Sequence, residues 1–211
     1  MPLIVFNQFI FIIICVGFGI LFCKIFNLKK IFLQLNIFDI SLFGLMFMGF
    51  LGQLVNFFFP LNDIFLLTNL ILSILLIFYF FKEYKFLFFL DKKFILITLA
   101  TLTLTYFTIF GSGYSDDLNH YHYAYINTTD NLKYILGLNF LHPNYGFSPI
   151  WLIVNSSLNF ESSRLQDIHI TNSLPFFFIL SSFLIKIFQD IEKKNFNILT
   201  ILKIFFISFI L

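Results

Sequence analysis

Six long apolar runs, separated by short polar segments, constrain this chain more than any other feature of its sequence. A helix needs roughly 20 mostly apolar residues to cross a bilayer. With 59% hydrophobic and 11% charged residues, the composition is also unlike that of soluble domains. We therefore predict an all-α fold, a polytopic transmembrane helical bundle that forms a single domain over 1–211. The expected spans are 3–22, 38–59, 64–81, 94–110, 168–188 and 196–211.

The distribution of basic residues predicts the orientation of this bundle. Cytoplasmic segments of membrane proteins are enriched in Lys and Arg. With the N-terminus outside, ten of the thirteen basic residues are cytoplasmic, and the outer segments hold only Lys133 and Arg164. We expect a multi-pass protein of the inner (plasma) membrane whose segment 111–167 is periplasmic or extracellular. The ten cytoplasmic residues are Lys24, Lys29, Lys30, Lys82, Lys85, Lys92, Lys93, Lys186, Lys193 and Lys194.

The lipid bilayer is the one partner that the composition indicates directly. A formal net charge of +2 gives no reason to expect a nucleic-acid partner. The oligomeric state leaves no signal in the sequence.

The segment 111–167 contains most of the groups that could carry chemistry. Polar and ionisable groups are costly near lipid, so such a cluster is expected only where the chain meets water or acts on a ligand. We interpret the segment as a helical outer loop that carries the functional cluster. Its members include Asp116, Asp117, His120, His122, Asp130, His142 and the only tryptophan, Trp151.

Capping signals predict three short helices in this loop. Ser115 is expected to cap a helix that runs to about residue 126 and breaks over 127–130. Asp130 is expected to cap a second helix, which ends at Gly137. Pro149 at a first helical position predicts a third helix, 149–158, which is about 15 Å long and too short to cross a bilayer. It should lie in the interface or dip into the membrane and return.

Asp116 and Asp117 are the strongest candidates for catalysis. At the start of a helix they lie about 100° apart, His120 projects between them, and Tyr121 borders the same face. A carboxylate pair beside a histidine suits a general base, or a divalent cation held by oxygen atoms. That cation is the one cofactor that the sequence suggests. The alternative is that the two acids only complement the helix dipole.

His120 and His122 would share a face on a strand and could then bind zinc, but on a helix they diverge by about 200°. The helical reading argues against a zinc site. His142 precedes Pro143 in a predicted turn, where a histidine is typically a structural hydrogen-bonding group.

Arg164 is the only arginine of the chain. Its planar fork of donors suits a phosphate or a carboxylate ligand. The alternative is a simple ion pair with Glu161 or Asp167.

Two motifs of the outer loop resemble those of a known group of proteins. Residues 117–122 (DLNHYH) fit a D-x-x-x-Y-H pattern. Residues 137–142 (GLNFLH), followed by 145–148 (YGFS) and Trp151, are similar to a G-L-A-N-L-H…GF-N-S…W stretch. Both resemble polytopic bacterial membrane proteins related to glycosyltransferases of the GT-C type, over roughly residues 114–151.

This resemblance implies a helical membrane enzyme that transfers a sugar from a polyprenyl-phosphate carrier to an envelope glycan or lipid on the outer face. It implies Asp117 as the base on the acceptor hydroxyl, Asp116 as its support or a metal contact, and His122 and His142 as binders of the donor. GT-C enzymes have more than six spans, so the resemblance also implies an N-terminal fragment. The full predicted substrate-binding set is His120, Tyr121, His122, His142 and, from its own chemistry, Arg164.

Two other functions remain open from the sequence. The chain could be a non-catalytic membrane subunit or a truncated, inactive fragment. A transporter component is less favoured, because the spans have few charges near the bilayer midplane.

Overall fold

The computed structural model of this protein describes residues 2–28, 35–84, 92–111, 122–134, 150–193 and 198–210. All regular secondary structure within these residues is helical, which confirms the predicted all-α class. A 3-10 turn, Glu161–Ser163, leads directly into the long helix that begins at Arg164. The α-helices are α1 (Pro2–Ile25), α2 (Ile37–Asn56), α3 (Asp63–Tyr84), α4 (Lys92–Gly111), α5 (Tyr123–Asn131), α6 (Ile150–Ser157), α7 (Arg164–Glu192) and α8 (Ile198–Ile210).

Four segments are long and apolar enough to cross a membrane: Leu3–Ile25, Ile37–Asn56, Asp63–Glu83 and Glu161–Glu192. They correspond to the first, second, third and fifth apolar runs, and they fit a membrane protein. The other two predicted spans coincide with α4, of 20 residues, and with the 13 described residues of α8. The total of six spans remains a prediction.

Helix α1 lies at the centre of the bundle and packs against α2, α3 and α7. Its apolar side chains are spread around the helix rather than confined to one face, and about two thirds of its most apolar 18-residue stretch is buried. Phe11 and Ile14 of α1 and Phe177 and Phe178 of α7 are completely buried in the main core. Helix α3 is mostly exposed, so its apolar side chains are available to lipid.

Glycines allow the close approach of α1 to its neighbours. A Cβ atom at Gly44 of α2 would overlap the carbonyl group of Cys15 in α1, and one at Gly17 would lie 2.5 Å from Cβ of Ser73 in α3. Small residues at helix contacts are the usual means of close packing in membranes, where lipid tails are as apolar as leucine. The same contacts leave Cys15 completely buried.

Polar contacts distinguish the two ends of the bundle. At one end, which we call the basic end, Lys24 pairs with Glu83 at 2.7 Å and Lys186 with Asp39 at 2.7 Å. At the other, the polar end, Asn7 Nδ2 donates to Ser163 Oγ at 3.0 Å. The polar end collects the first residues of α1, the end of α2, the start of α3, helix α5 and residues 156–164.

Candidate functional site

Five of the predicted site residues lie outside the described residues: Asp116, Asp117, His120, Tyr121 and His142. The roles assigned to them, and the divalent cation that the aspartates could hold, therefore remain predictions. The described members of the predicted set are His122 and Arg164. Within the described ranges, no group of three or more His, Cys, Asp or Glu side chains is placed to hold a metal ion.

Helix α5 differs from the predicted pattern of two helices with a break at 127–130. It runs through the predicted break, and the Leu132 N–H closes it by donating to the Thr128 carbonyl at 2.8 Å. The hydroxyl groups of Thr128 and Thr129 donate to carbonyls one turn earlier, at 2.8 and 2.9 Å. Because these side chains bond within the helix, they do not cap a new one. The expectation that Asp130 starts a second helix is therefore wrong.

Asp130 instead forms a buried ion pair with Arg164. Arg164 Nε lies 2.8 Å from Asp130 Oδ2, and the two residues are only 7% and 5% exposed. The N–H does not point along a hydrogen-bond direction, so the contact is chiefly electrostatic. Arg164 Nη1 also donates to Asn127 Oδ1, and the Tyr123 ring lies 6.0 Å from the guanidinium carbon. The sequence predicted Glu161 or Asp167 as the alternative partner of Arg164, whereas the structure pairs it with Asp130.

Asp167 has a set of partners of its own. Its Oδ1 accepts from Asn7 Nδ2, and its Oδ2 accepts from Ser163 Oγ and from the Phe160 N–H, each at 2.8 Å. These bonds join α1 to the turn before α7. Asp167 is therefore a structural acid whose hydrogen-bonding capacity is largely satisfied.

The position of α5 is set by contacts with the ends of α2 and α6. The Tyr134 N–H donates to the Asn56 carbonyl at 2.7 Å, and the Leu61 N–H donates to the Thr129 carbonyl at 2.9 Å. The hydroxyls of Thr129 and Ser156 share a hydrogen bond of 2.6 Å. These bonds satisfy buried polar groups, so they hold the Asp130 side of α5 in one place.

A polar cavity of about 150 Å³ lies beside the ion pair. This volume corresponds to about five water molecules, enough for a small polar ligand or part of a larger one. Asp63 also accepts a hydrogen bond from the Glu161 N–H at 2.9 Å, which joins two of the lining elements. We call this space the Asp130 cavity. Its lining residues are Asn62, Asp63, Asp130, Asn131, Glu161 and Arg164.

Burial raises the pKa of the Asp130 carboxyl to about 7, although the positive charge of Arg164 opposes the shift and Asp63 adds to it. The carboxyl is therefore present in both protonation states near neutral pH. A general base works best when its pKa lies near the operating pH. Asp130 has this property and lines an open cavity, which makes it a candidate functional residue.

Sequence reasoning did not single out Asp63, Asp130 or Glu161 as one site. With the N-terminus outside, all three acids and Arg164 fall on the same side of the predicted topology. This shared side is the feature of the sequence that could have indicated a common site. Their convergence depends on how α3, α5 and α7 pack, which no local pattern contains.

Comparison with known proteins places the chain in a family. No curated protein and no solved structure matches it. The family described as a domain of unknown function (DUF8201) matches residues 1–211. This match covers the whole chain, and the protein therefore belongs to the DUF8201 family.

Proposed function

We propose that this protein is an integral membrane glycosyltransferase that transfers a sugar from a polyprenyl-phosphate carrier to an envelope glycan or lipid. The structural observation that carries the proposal is the Asp130 cavity, which sets a carboxyl of pKa about 7 beside a buried guanidinium at the polar end. The resemblance of residues 114–151 to GT-C proteins supports the reaction class.

The proposed reaction is a displacement at the anomeric carbon of the sugar. A carboxylate removes the proton of the acceptor hydroxyl, whose oxygen then forms the new bond to the anomeric carbon. The bond between that carbon and the phosphate oxygen breaks, and the lipid phosphate leaves with the electron pair. Asp117 is the base implied by the motif, and Asp130 is the base favoured by the cavity. A nearby cation such as Arg164 would stabilise the departing phosphate.

The proposal places the polar end outside the cytoplasm and retains six spans. The described basic residues support this orientation, because the contacts of Lys24, Lys93 and Lys186 group them at the opposite end. Labelling of single engineered cysteines with a membrane-impermeant reagent tests it. Lys133→Cys should react in intact cells, and Lys193→Cys only after permeabilisation. The reverse pattern would contradict the orientation, and the buried Cys15 and Cys23 should contribute little background.

Sugar transfer from a panel of polyprenyl-phosphate sugars to membrane acceptors tests the activity. Asp117→Asn and Asp130→Asn each remove one candidate base, and loss of the true base should lower the rate by about 100-fold or more. Asp190→Asn is the matched control, since it removes a carboxylate at the basic end, where Asp190 pairs with Lys203. Wild-type rates in both test variants would refute the proposed roles of these acids.

A non-catalytic membrane subunit is the second candidate, and one observation favours it. Arg164 contacts Asp130, Asn127 and the Tyr123 ring. The same contacts are expected if Arg164 only joins α7 to α5 and binds no ligand. Under this alternative, Asp130→Asn changes thermal stability while no polyprenyl-phosphate sugar stabilises the wild-type protein. Stabilisation of the wild type by such a donor would favour the enzyme instead.

A further inference from the structure

The acids that line the Asp130 cavity use little of their hydrogen-bonding capacity within the described part of the chain. Asp63 accepts one hydrogen bond, from the Glu161 N–H, and the exposed Glu161 carboxylate accepts none there. Asp130 Oδ1 accepts a long bond of 3.4 Å from Asn159 Nδ2, and Asp130 Oδ2 accepts none. A carboxylate can accept about four hydrogen bonds. The three acids therefore retain most of their capacity to accept from a ligand in the cavity.

The lining of the cavity also contains donors. Asn62 Oδ1 accepts from the Phe65 N–H at 3.3 Å, which leaves the NH₂ group of Asn62 for another partner. Arg164 gives one of its two NH₂ groups to Asn127, and its Nε forms no hydrogen bond with a described residue. A ligand that only donates, or only accepts, would leave one of these two sets unpaired. A hydroxyl group does both, so the lining matches a ligand that carries several hydroxyl groups.

The charge of the cavity disfavours an anionic ligand. Three acids line it beside one cation, Arg164. When Asp130 is ionised it neutralises Arg164, and Asp63 and Glu161 remain. When Asp130 is protonated, two acids still stand against one guanidinium, so the net charge is negative in both states. A carboxylate or phosphate on the ligand is therefore repelled, and more strongly than it would be in bulk water. An ammonium group would be attracted, but it cannot accept from Arg164.

We infer that the Asp130 cavity binds an uncharged sugar residue through its hydroxyl groups and discriminates against sugars that carry a negative charge. A sugar ring presents hydroxyl groups on neighbouring carbon atoms, and each of them can donate to an acid and accept from Asn62 or Arg164. The volume of about 150 Å³ suits the hydroxyl-bearing edge of one ring. Identification of this sugar as the acceptor of a transfer reaction rests on the proposed function, whereas the binding site itself does not.

Saturation-transfer NMR with simple glycosides tests this inference. The full chain is purified in a polyoxyethylene detergent, because maltoside and glucoside detergents carry a sugar head group of their own. The probes are the methyl glycosides of glucose, galactose and mannose, together with the uronic acid that corresponds to each. We expect saturable binding of at least one neutral glycoside with a Kd of the order of 1 mM, and binding of its uronic acid that is about tenfold or more weaker.

A double variant, Asp63→Asn with Glu161→Gln, tests the origin of the discrimination. Each substitution removes a negative charge and keeps an oxygen that can accept, including the acceptor for the Glu161 backbone N–H. The variant should bind the uronic acid within about threefold of the neutral glycoside. A misfolded protein would not gain affinity for the uronic acid, so this readout separates binding from folding. Asp190→Asn removes a carboxylate at the basic end and should bind both sugars like the wild type.

Several results would overturn the inference. They are equal or tighter binding of the uronic acid by the wild type, no saturable binding of any neutral glycoside, and an unchanged preference in the double variant. Sugar binding with the expected preference, but without transfer from any polyprenyl-phosphate sugar, would count against the proposed function and leave this site standing. Transfer that proceeds equally well to neutral and to uronic acid acceptors would support the proposed function and overturn this inference.

Discussion

The ionisation of Asp130 should make the stability of this protein depend on pH. Its pKa rises from the ordinary value of 3.8 to about 7 on folding, so the folded state binds the proton more tightly than the unfolded state. The resulting stabilisation is fully present below pH 4 and is lost as the pH rises to 7. A difference of about three pKa units corresponds to about 4 kcal/mol, or about 1.4 kcal/mol for each pH unit in this window.

Comparison of the wild type with Asp130→Asn isolates this contribution, because the asparagine does not titrate. We expect the free energy of unfolding of the wild type, minus that of the variant, to fall by about 4 kcal/mol between pH 4 and pH 8. Unfolding by dodecyl sulfate in mixed micelles, followed by circular dichroism, provides the measurement. The contributions of most other titrating groups to the free energy of unfolding cancel when the variant is subtracted from the wild type.

Asn131→Ala is the matched control, since Asn131 is an exposed, non-titrating neighbour that lines the same cavity. The difference in free energy of unfolding between Asn131→Ala and the wild type should be the same at every pH. A constant difference for Asp130→Asn as well would show that Asp130 ionises in the folded protein as it does in water. Asp130 would then not be a base poised near neutral pH.

Three further substitutions test the packing around the site by the same unfolding measurement. Arg164→Met should lower the free energy of unfolding at pH 7 by about 1–3 kcal/mol, because Asn127 loses its donor while Asp130, whose pKa is already about 7, becomes neutral by binding a proton. Adding Asp130→Leu should recover part of the loss, and simple additivity would argue against a coupled pair. Gly44→Val should cost about 1–3 kcal/mol or more through overlap with α1, whereas Met46→Val, at an exposed position of α2, should cost little. Asn7→Leu should cost about 1–3 kcal/mol, because the Asp167 carboxylate loses a buried donor; an unchanged midpoint would contradict that role.

Much of the fold could be predicted from composition and periodicity. Long apolar runs become helices because a backbone in lipid has to satisfy its hydrogen bonds within its own segment. The described helices α1, α2, α3 and α7 overlap the predicted runs for this reason. The predicted helix break at 127–130 is wrong, because threonine hydroxyls can donate to carbonyls inside a helix as well as cap one.

The candidate site depended on the tertiary structure. Charge alone made several acids equivalent partners for Arg164, and the packing of α5 against α7 brought Asp130 to it. Asp39 had no predicted role, yet it closes the capping box of α2 with Asn36 and pairs with Lys186 of α7.

The sequence by itself determined that this chain is helical, apolar and suited to lipid, because those properties depend on each segment's own hydrogen bonds and hydropathy. Only the tertiary structure decided which buried charges meet and where the cavity opens. Electrostatic interactions inside a protein depend on distances of a few ångströms between separate helices, and those distances are set by packing rather than by any local pattern.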